Sequence, residues 1–149
     1  MRHNIPDDLG QMLLDSSRRL KWNMTGRLID VGLTFPQWMV LNDIFTHADS
    51  EGDKYNLTPA AVAGRLSVDR PTISGIIERL EKGGWIYRAD HPEDRRSYIV
   101  MLTGKATELM SELEEQRKLT MDQAIRGFSG DETTLLKQYL QRIINNLKL

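Results

Sequence analysis

Two helical segments separated by a very short turn are the feature that most limits how this chain can fold. The first segment, PAAVAGRL (59–66), is opened by Thr58 and Pro59, where a proline loses no helical hydrogen bond. The second begins around Asp69, reads RPTISGIIERLEK, and ends at the glycine pair 83–84. Its apolar residues recur at helical spacing, so one side should face a core. The pattern predicts a helix–turn–helix.

Two strand-forming segments follow the second helix directly. WIYRA (85–89) and SYIVML (97–102) are rich in β-branched and aromatic residues, which favour strands. The turn between them, DHPEDRR (90–96), contains a proline, three acids and two arginines. This order predicts a β-hairpin with a loop of about seven residues, placed beside the helix–turn–helix as a wing.

Amphipathic helical segments flank this core on both sides. Residues 7–31 carry apolar groups mostly three or four residues apart, and TFPQ (34–37) is a capping-box pattern that opens another helix. The polar stretch 47–56 predicts a loop. Thr103 can cap a long helix, and SGDE (129–132) opens a final helix whose apolar stripe is wide for a terminal element.

The expected fold is mainly α-helical with one small β-hairpin. A winged helix–turn–helix core (34–103) is expected between an N-terminal helix (1–33) and C-terminal helices (104–149), which would serve dimerisation. These helices carry more apolar surface than a small core can cover, and burial between two chains is the simplest solution. A bundle formed within one chain is the alternative. The expected interface residues are Ile5, Leu9, Leu136, Leu140, Ile143, Ile144 and Leu147.

Composition and motifs exclude several function classes. The 149 residues include no cysteine, which rules out disulfides and thiolate zinc sites and is compatible with a reducing cytoplasm. The sequence has no P-loop, dinucleotide glycine pattern, HExxH or GxSxG, so neither catalysis nor a bound cofactor is expected. Its three histidines are scattered, and no metal site is expected. Because no signal peptide or membrane span is evident, a cytoplasmic location is expected.

The side of the second helix that faces away from the core is polar. It carries Arg70, Thr72, Ser74, Gly75, Glu78, Arg79 and Lys82. Arginine, serine and threonine near a helix N-terminus suit the base edges and phosphates of DNA, and a glycine lets the backbone approach closely. The net charge gives little support for DNA binding, since residues 58–103 hold seven Lys and Arg against six Asp and Glu. The alternative is the solvated face of an ordinary small bundle.

The hairpin adds a more specific pattern. The stretch LSVDRPTISGIIERLEKGGWIYRADHPEDRRSYIVMLT (66–103) resembles the winged helix–turn–helix core of the MarR family of bacterial transcriptional regulators. The matching elements are the Ser-Val-Asp turn, RLEKGGWI at the end of the second helix, the Asp-Arg-Arg wing and the Met-Leu-Thr strand end. The flanking helices match the family's layout in order and length. Two departures are the long loop at 47–56 and Gly104, which follows Thr103 directly.

The resemblance implies roles for particular residues. Asp69 would pair with Arg96 across the turn and so orient the wing, while Asp94 would help to hold the arginines. Arg95, and with it Arg96, would reach the minor groove, where a weakly hydrated guanidinium is favoured. The full set of expected DNA-contacting residues is Arg70, Pro71, Thr72, Ser74, Gly75, Arg79, Arg95 and Arg96.

The resemblance also implies a homodimer that reads a pseudo-palindromic duplex, acts as a repressor and responds to a small aromatic or anionic effector. The expected effector pocket is formed by Met12, Arg18, Arg19, Trp22, Trp38, Met39 and His47. Core or interface packing is the alternative role for its Trp and Met side chains. The alternative function for the whole chain is a winged-helix module that contacts proteins and does not bind DNA.

Overall fold

The computed structural model describes residues 8–48 and 54–147, and its elements follow the predicted order. They are α1 (Leu9–Asp30), α2 (Phe35–His47), a 3-10 turn (Lys54–Leu57), α3 (Pro59–Leu66), α4 (Arg70–Lys82), β1 (Ile86–Asp90), β2 (Tyr98–Leu102), α5 (Gly104–Ala124) and α6 (Gly130–Asn146). The two strands pair antiparallel, with Ile86 opposite Leu102 and Asp90 opposite Tyr98. The predicted fold class, mainly helical with one hairpin wing, is confirmed.

Five of the helices in the described residues begin at side-chain caps. In each case an oxygen of the capping side chain accepts a hydrogen bond from the backbone N–H three residues on, which satisfies a group that the helix cannot. The capping residues are Thr34, Thr58, Asp69, Thr103 and Ser129. The two predicted capping boxes, at the starts of α2 and α6, are both present with their reciprocal bonds.

The strands begin one residue later than predicted, and the polar loop contains a short turn. The N–H of Trp85 donates to the carbonyl of Leu80 at 3.0 Å, so this residue completes the end of α4 instead of starting β1. The N–H of Ser97 likewise donates to the carbonyl of Asp94 at 3.1 Å, within the wing turn. The segment predicted as loop over 47–56 includes the start of the 3-10 turn Lys54–Leu57.

The core lies between the helix–turn–helix and the hairpin. The predicted stripe of α4, which consists of Ile73, Ile76, Ile77 and Leu80, is buried against residues of α2, α3 and β1. Helix α1 adds Leu28 to the same core, and α5 adds Ala106, Leu109, Met110 and Leu113. Burial of this stripe turns the opposite, polar side of α4 outward.

The terminal helices differ from the core in burial. No residue of α6 is buried, and large apolar side chains remain exposed along it and along α1. Five of the predicted interface residues are exposed, Ile143 is partly buried, and Ile5 lies outside the described residues. Among the described helices, none is long and apolar enough to cross a membrane.

Candidate nucleic-acid interface

The turn between α3 and α4 is compact because it uses a left-handed residue. Ser67 has φ 53° and ψ 43°, a conformation that serine adopts at some cost. The N–H of Val68 returns to the carbonyl of Ala63 at 3.0 Å, and Asp69 then caps α4. This closes a helix–turn–helix in which only residues 67–69 separate the two helices.

Asp69 caps its own helix and does not hold the wing. Its carboxylate accepts hydrogen bonds from the N–H of Thr72 at 2.9 Å and from the Thr72 hydroxyl at 2.8 Å. Within the described residues it forms no ion pair with Arg96, so the predicted pairing across the turn is not formed in this structure. A cap three residues away is satisfied locally, without ordering a long arginine side chain.

The hydrogen bond from the Thr72 backbone N–H lowers the pKa of Asp69 most, and the bond from the Thr72 hydroxyl lowers it further. The ionised carboxylate is therefore the better acceptor in the folded chain. Its stabilising contribution is complete above the ordinary pKa of an aspartate, and it is lost as the pH falls through the lowered value.

Asp94 binds backbone groups within the wing turn, and not the arginine side chains that it was predicted to hold. Its carboxylate oxygen Oδ1 accepts from the backbone N–H of Arg96 at 2.9 Å, and its carbonyl accepts from Ser97. The side chains of Arg95 and Arg96 are exposed, and neither forms an ion pair within the described residues. The turn therefore fixes the path of the backbone and leaves both guanidinium groups available.

Arg79 occupies the space above Gly75. Its Nε donates to the Gly75 carbonyl at 3.1 Å, and a Cβ added at Gly75 would lie 3.1 Å from its Nη2. The expectation that this glycine leaves room for close backbone approach by DNA is therefore modified. In this structure the glycine makes room for a guanidinium that lies along the exposed face of α4.

Residues 58–103 have few more cations than acids, but several of these acids are engaged by other groups of the fold. Glu78 pairs with Lys82 at 3.2 Å, and Glu81 pairs with Arg88 at 3.1 Å. Arg88 also lies over the ring of Tyr98, 4.5 Å from its centroid. Asp69 and Asp94 are engaged in a cap and a turn, and the groups left without an ion pair in the described chain include Arg70, Arg95 and Arg96.

A joint that the sequence did not predict connects α4 to α5. The hydroxyl of Thr103 donates to the Gly84 carbonyl at 2.7 Å, and the Thr103 N–H donates to the Trp85 carbonyl at 3.1 Å. Lys105 donates to the Gly83 carbonyl at 3.1 Å and lies 3.9 Å from the centroid of the Trp85 ring. A cation at the C-terminal end of a helix is favourable, so the end of α4 is held to the start of α5.

A buried ion pair, also not predicted, joins α2 to α3. Asp43 is only 7% exposed, and its carboxylate receives the Nε and Nη2 of Arg65 at 2.7–3.1 Å. Nδ1 of His47 lies 2.8 Å from the Asp43 carbonyl oxygen. An acid between the apolar residues of WMVLNDIF was the available signal, because a buried charge needs a partner.

The residues predicted to form one effector pocket do not come together. Arg18, Arg19 and Trp22 line a hollow on α1, and both arginines bind Asp15. A second hollow, between α2 and α3, is lined by three of the predicted residues with five neighbours: Phe35, Trp38, Met39, Asn42, Asp43, Thr46, His47 and Leu66. Met12 is 59% exposed and lines neither. The predicted set mixed one face of α1 with one face of α2.

A third cleft lies between α1, α2 and α5. It is lined by Asn23, Arg27, Leu28, Trp38, Leu113, Gln116, Arg117 and Thr120. The indole N–H of Trp38 is buried and has no acceptor among the described residues. Arg117 binds Glu114 at 2.7–3.0 Å, and this contact lowers the pKa of the Glu114 carboxyl. In residues 8–48 and 54–147 no three His, Asp or Glu side chains are grouped so as to hold a metal ion.

Comparison with known proteins agrees with this geometry. The model of the MarR family matches residues 31–97. The crystal structure of transcriptional regulator PA3341 is 30% identical with a TM-score of 0.77, covering 93% of this chain and 96% of that one. The HTH-type transcriptional regulator PecS of Dickeya dadantii (strain 3937) is 28% identical over 105 residues, which span 70% of this chain and 63% of the length of PecS.

Two further matches extend over most of the chain. The HTH-type transcriptional regulator PrsX of Escherichia coli is 24% identical over 139 residues, which are 93% of this chain and 81% of PrsX. The crystal structure of the S. aureus MepR–DNA complex has the same fold, with 21% identity and a TM-score of 0.80 over 93% of this chain and 98% of that one. The chain belongs to the MarR family of helix–turn–helix transcriptional regulators.

Proposed function

We propose that this protein is a homodimeric repressor that binds a pseudo-palindromic DNA duplex. In this proposal α4 lies in the major groove and the wing reaches the adjacent minor groove. The observation that carries the proposal is that Arg70, at the start of α4, and Arg95 and Arg96, in the wing turn, are exposed and free of ion pairs in the described part of the chain. The solved complex of MepR with DNA, which shares the fold, supports it.

The exposed residues of α4 divide between the two parts of a DNA contact. Arg70, Thr72 and Ser74 lie in the first turns of the helix, where side chains enter the groove and can reach base edges. Pro71 lies at the start of the helix, where its missing N–H costs nothing. Arg79, held over Gly75 further along the helix, is positioned for the phosphate backbone.

Dimerisation is supported by the unpacked state of α6. Leu136, Leu140, Ile144 and Leu147 lie along one side of this helix and are all exposed. A stripe of this kind is normally covered, and pairing with a second copy would also cover Leu9 on α1. Two recognition helices related by a two-fold axis would then face successive turns of the same side of the duplex.

We further propose that a small aromatic ligand modulates DNA affinity from the hollow between α2 and α3. The hollow is open and has a volume of about 300 Å³, at the lower limit of ligand pockets. Its walls include Phe35, Trp38 and Met39, and it lies beside the Asp43–Arg65 pair that joins α2 to α3. A ligand here would contact α2 beside the ion pair that holds it to α3, the first helix of the helix–turn–helix. None of the residues lining the hollow is an arginine, so an anionic ligand is less well supported.

Selection of duplexes from a random pool tests the proposal. We expect enrichment of a two-fold symmetric sequence whose half-sites lie about one helical turn, or about 10 base pairs, apart. Repeating the selection with small uncharged aromatic compounds present should lower recovery of the same sequence. Failure to enrich any duplex would instead favour a winged-helix module that contacts proteins. Action on chromosomal DNA also requires the cytoplasmic location expected from the sequence.

A further inference from the structure

His91 lies at the beginning of the wing turn, directly after β1. Its ring nitrogen Nδ1 accepts hydrogen bonds from two backbone N–H groups, that of Glu93 at 3.1 Å and that of Asp94 at 3.0 Å. A nitrogen that accepts must offer a lone pair, so Nδ1 carries no proton and the ring proton of the neutral imidazole is on Nε2. The ring therefore does for this turn what an Asp or Asn oxygen does in an Asx turn.

The bonds of His91 continue along the wing tip as a connected series. The ring holds the N–H of Asp94, the Asp94 carboxylate holds the N–H of Arg96, and the Asp94 carbonyl holds the N–H of Ser97. Pro92 has a fixed φ and no N–H, so Glu93 and Asp94 supply the first donors after the ring. The backbone that carries Arg95 is thus fixed on both sides by side-chain acceptors.

We propose that His91 is a positioning residue that sets the direction in which Arg95 and Arg96 leave the wing. This inference rests on the proposed DNA-binding function, and it gives His91 no contact with DNA. Because the tip is exposed, N–H groups that lose the ring can bind water, and the fold survives. The turn becomes less ordered in the free protein. Binding through Arg95 and Arg96 must then order it, and this loss of conformational entropy weakens the affinity.

Two substitutions at the same position distinguish this role from a general effect of mutation. His91→Leu removes the acceptor and puts an apolar group of similar size in its place, whereas His91→Asn supplies a side-chain oxygen that can accept the same N–H groups. On a duplex that the wild-type protein binds, we expect about tenfold weaker binding for His91→Leu, equivalent to about 1.4 kcal/mol. His91→Asn should remain within about twofold of the wild type.

Two further readouts separate positioning from a structural role. In a protein that already carries Arg95→Ala and Arg96→Ala, His91→Leu should cost almost nothing more, because it acts through those side chains. Without DNA, NMR order parameters of the Arg95 and Arg96 amides should fall in the Leu variant but not in the Asn variant.

Each outcome decides between the inference and the proposed function. The role of His91 is overturned if the Leu and Asn variants bind DNA equally well. It is also overturned if His91→Leu costs the full tenfold in the protein that carries Arg95→Ala and Arg96→Ala. Binding by the wild type with an unchanged Leu variant overturns this inference alone. No binding of the wild type to any duplex overturns both.

Discussion

Leu140→Glu should convert the protein into a monomer and weaken binding to a two-half-site duplex by about 100-fold or more. The side chain is 40% exposed on α6, in the middle of an apolar stripe of which no residue is buried in the described chain. A two-fold interface would bury two copies of the new carboxylate, at a cost of several kcal/mol per dimer. A monomer has one recognition helix and binds one half-site. It therefore loses the higher affinity that comes from binding two half-sites at once. Light scattering coupled to gel filtration gives the mass directly.

Gln138→Glu is the matched control for this substitution. It adds the same charge to α6 on the side of the helix opposite the apolar stripe, at an exposed position. We expect this variant to remain a dimer with wild-type affinity. A Leu140→Glu protein that stays dimeric and binds the duplex would show that α6 is not the interface. Dissociation of both variants would mean that charge alone, not its position, is responsible.

Asp43→Ala should lower the free energy of unfolding by about 2–3 kcal/mol. The substitution leaves Arg65, which is mostly buried, without the carboxylate that accepts three of its hydrogen bonds. It also removes a direct tie between α2 and α3, the first helix of the helix–turn–helix. For a chain of this size the melting temperature should fall by about 5–10 °C. Thermal unfolding followed by circular dichroism at one protein concentration measures the change.

Asp122→Ala provides the comparison for Asp43→Ala. Asp122 lies on α5, is exposed, and forms no ion pair within the described residues. Its substitution should change the melting temperature by less than about 2 °C, since surface changes of this kind usually cost little. Equal unfolding curves for the two variants would show that the buried pair contributes nothing to stability.

The parts of the fold that depend on local chemistry could be predicted from the sequence. Thr34, Thr58, Asp69, Thr103 and Ser129 each precede a helix that the apolar spacing also indicates, so the two signals agree on where it begins. The isoleucine stripe of α4 predicted which side is buried and therefore which residues face outward. The hairpin was placed to within one residue at the start of each strand.

Side-chain partners across the fold were less accessible to sequence reasoning. Asp69 had two physically reasonable partners, and the local N–H of Thr72 is bound in place of the distant Arg96. His91 was read only as one of three scattered histidines, because nothing in the sequence shows that a ring will accept backbone bonds. Lys105 was not singled out, since its contact with Trp85 depends on how α5 follows β2.

The effector pocket shows a different limit. Helical spacing gives the face of a helix on which a residue lies, but it does not say which neighbouring helix covers that face. Trp22 was grouped with Trp38 by residue type, yet Trp22 is 79% exposed on α1, whereas Trp38, on α2, is buried. The terminal stripe of α6 illustrates the reverse case. Its width predicted a surface that must be covered, yet no residue of α6 is buried in the described chain.

The most direct test is a fluorescence-anisotropy titration of the selected duplex at several salt concentrations. A dimer that neutralises about six phosphates should lose affinity with a log–log slope of about −5. Arg96→Ala should remain dimeric, bind more weakly and show a shallower slope, whereas Arg126→Ala, in the exposed α5–α6 connection, should match the wild type. Absent or salt-independent binding, or an affinity unchanged by Arg96→Ala, would contradict a DNA-binding role for this face and its wing.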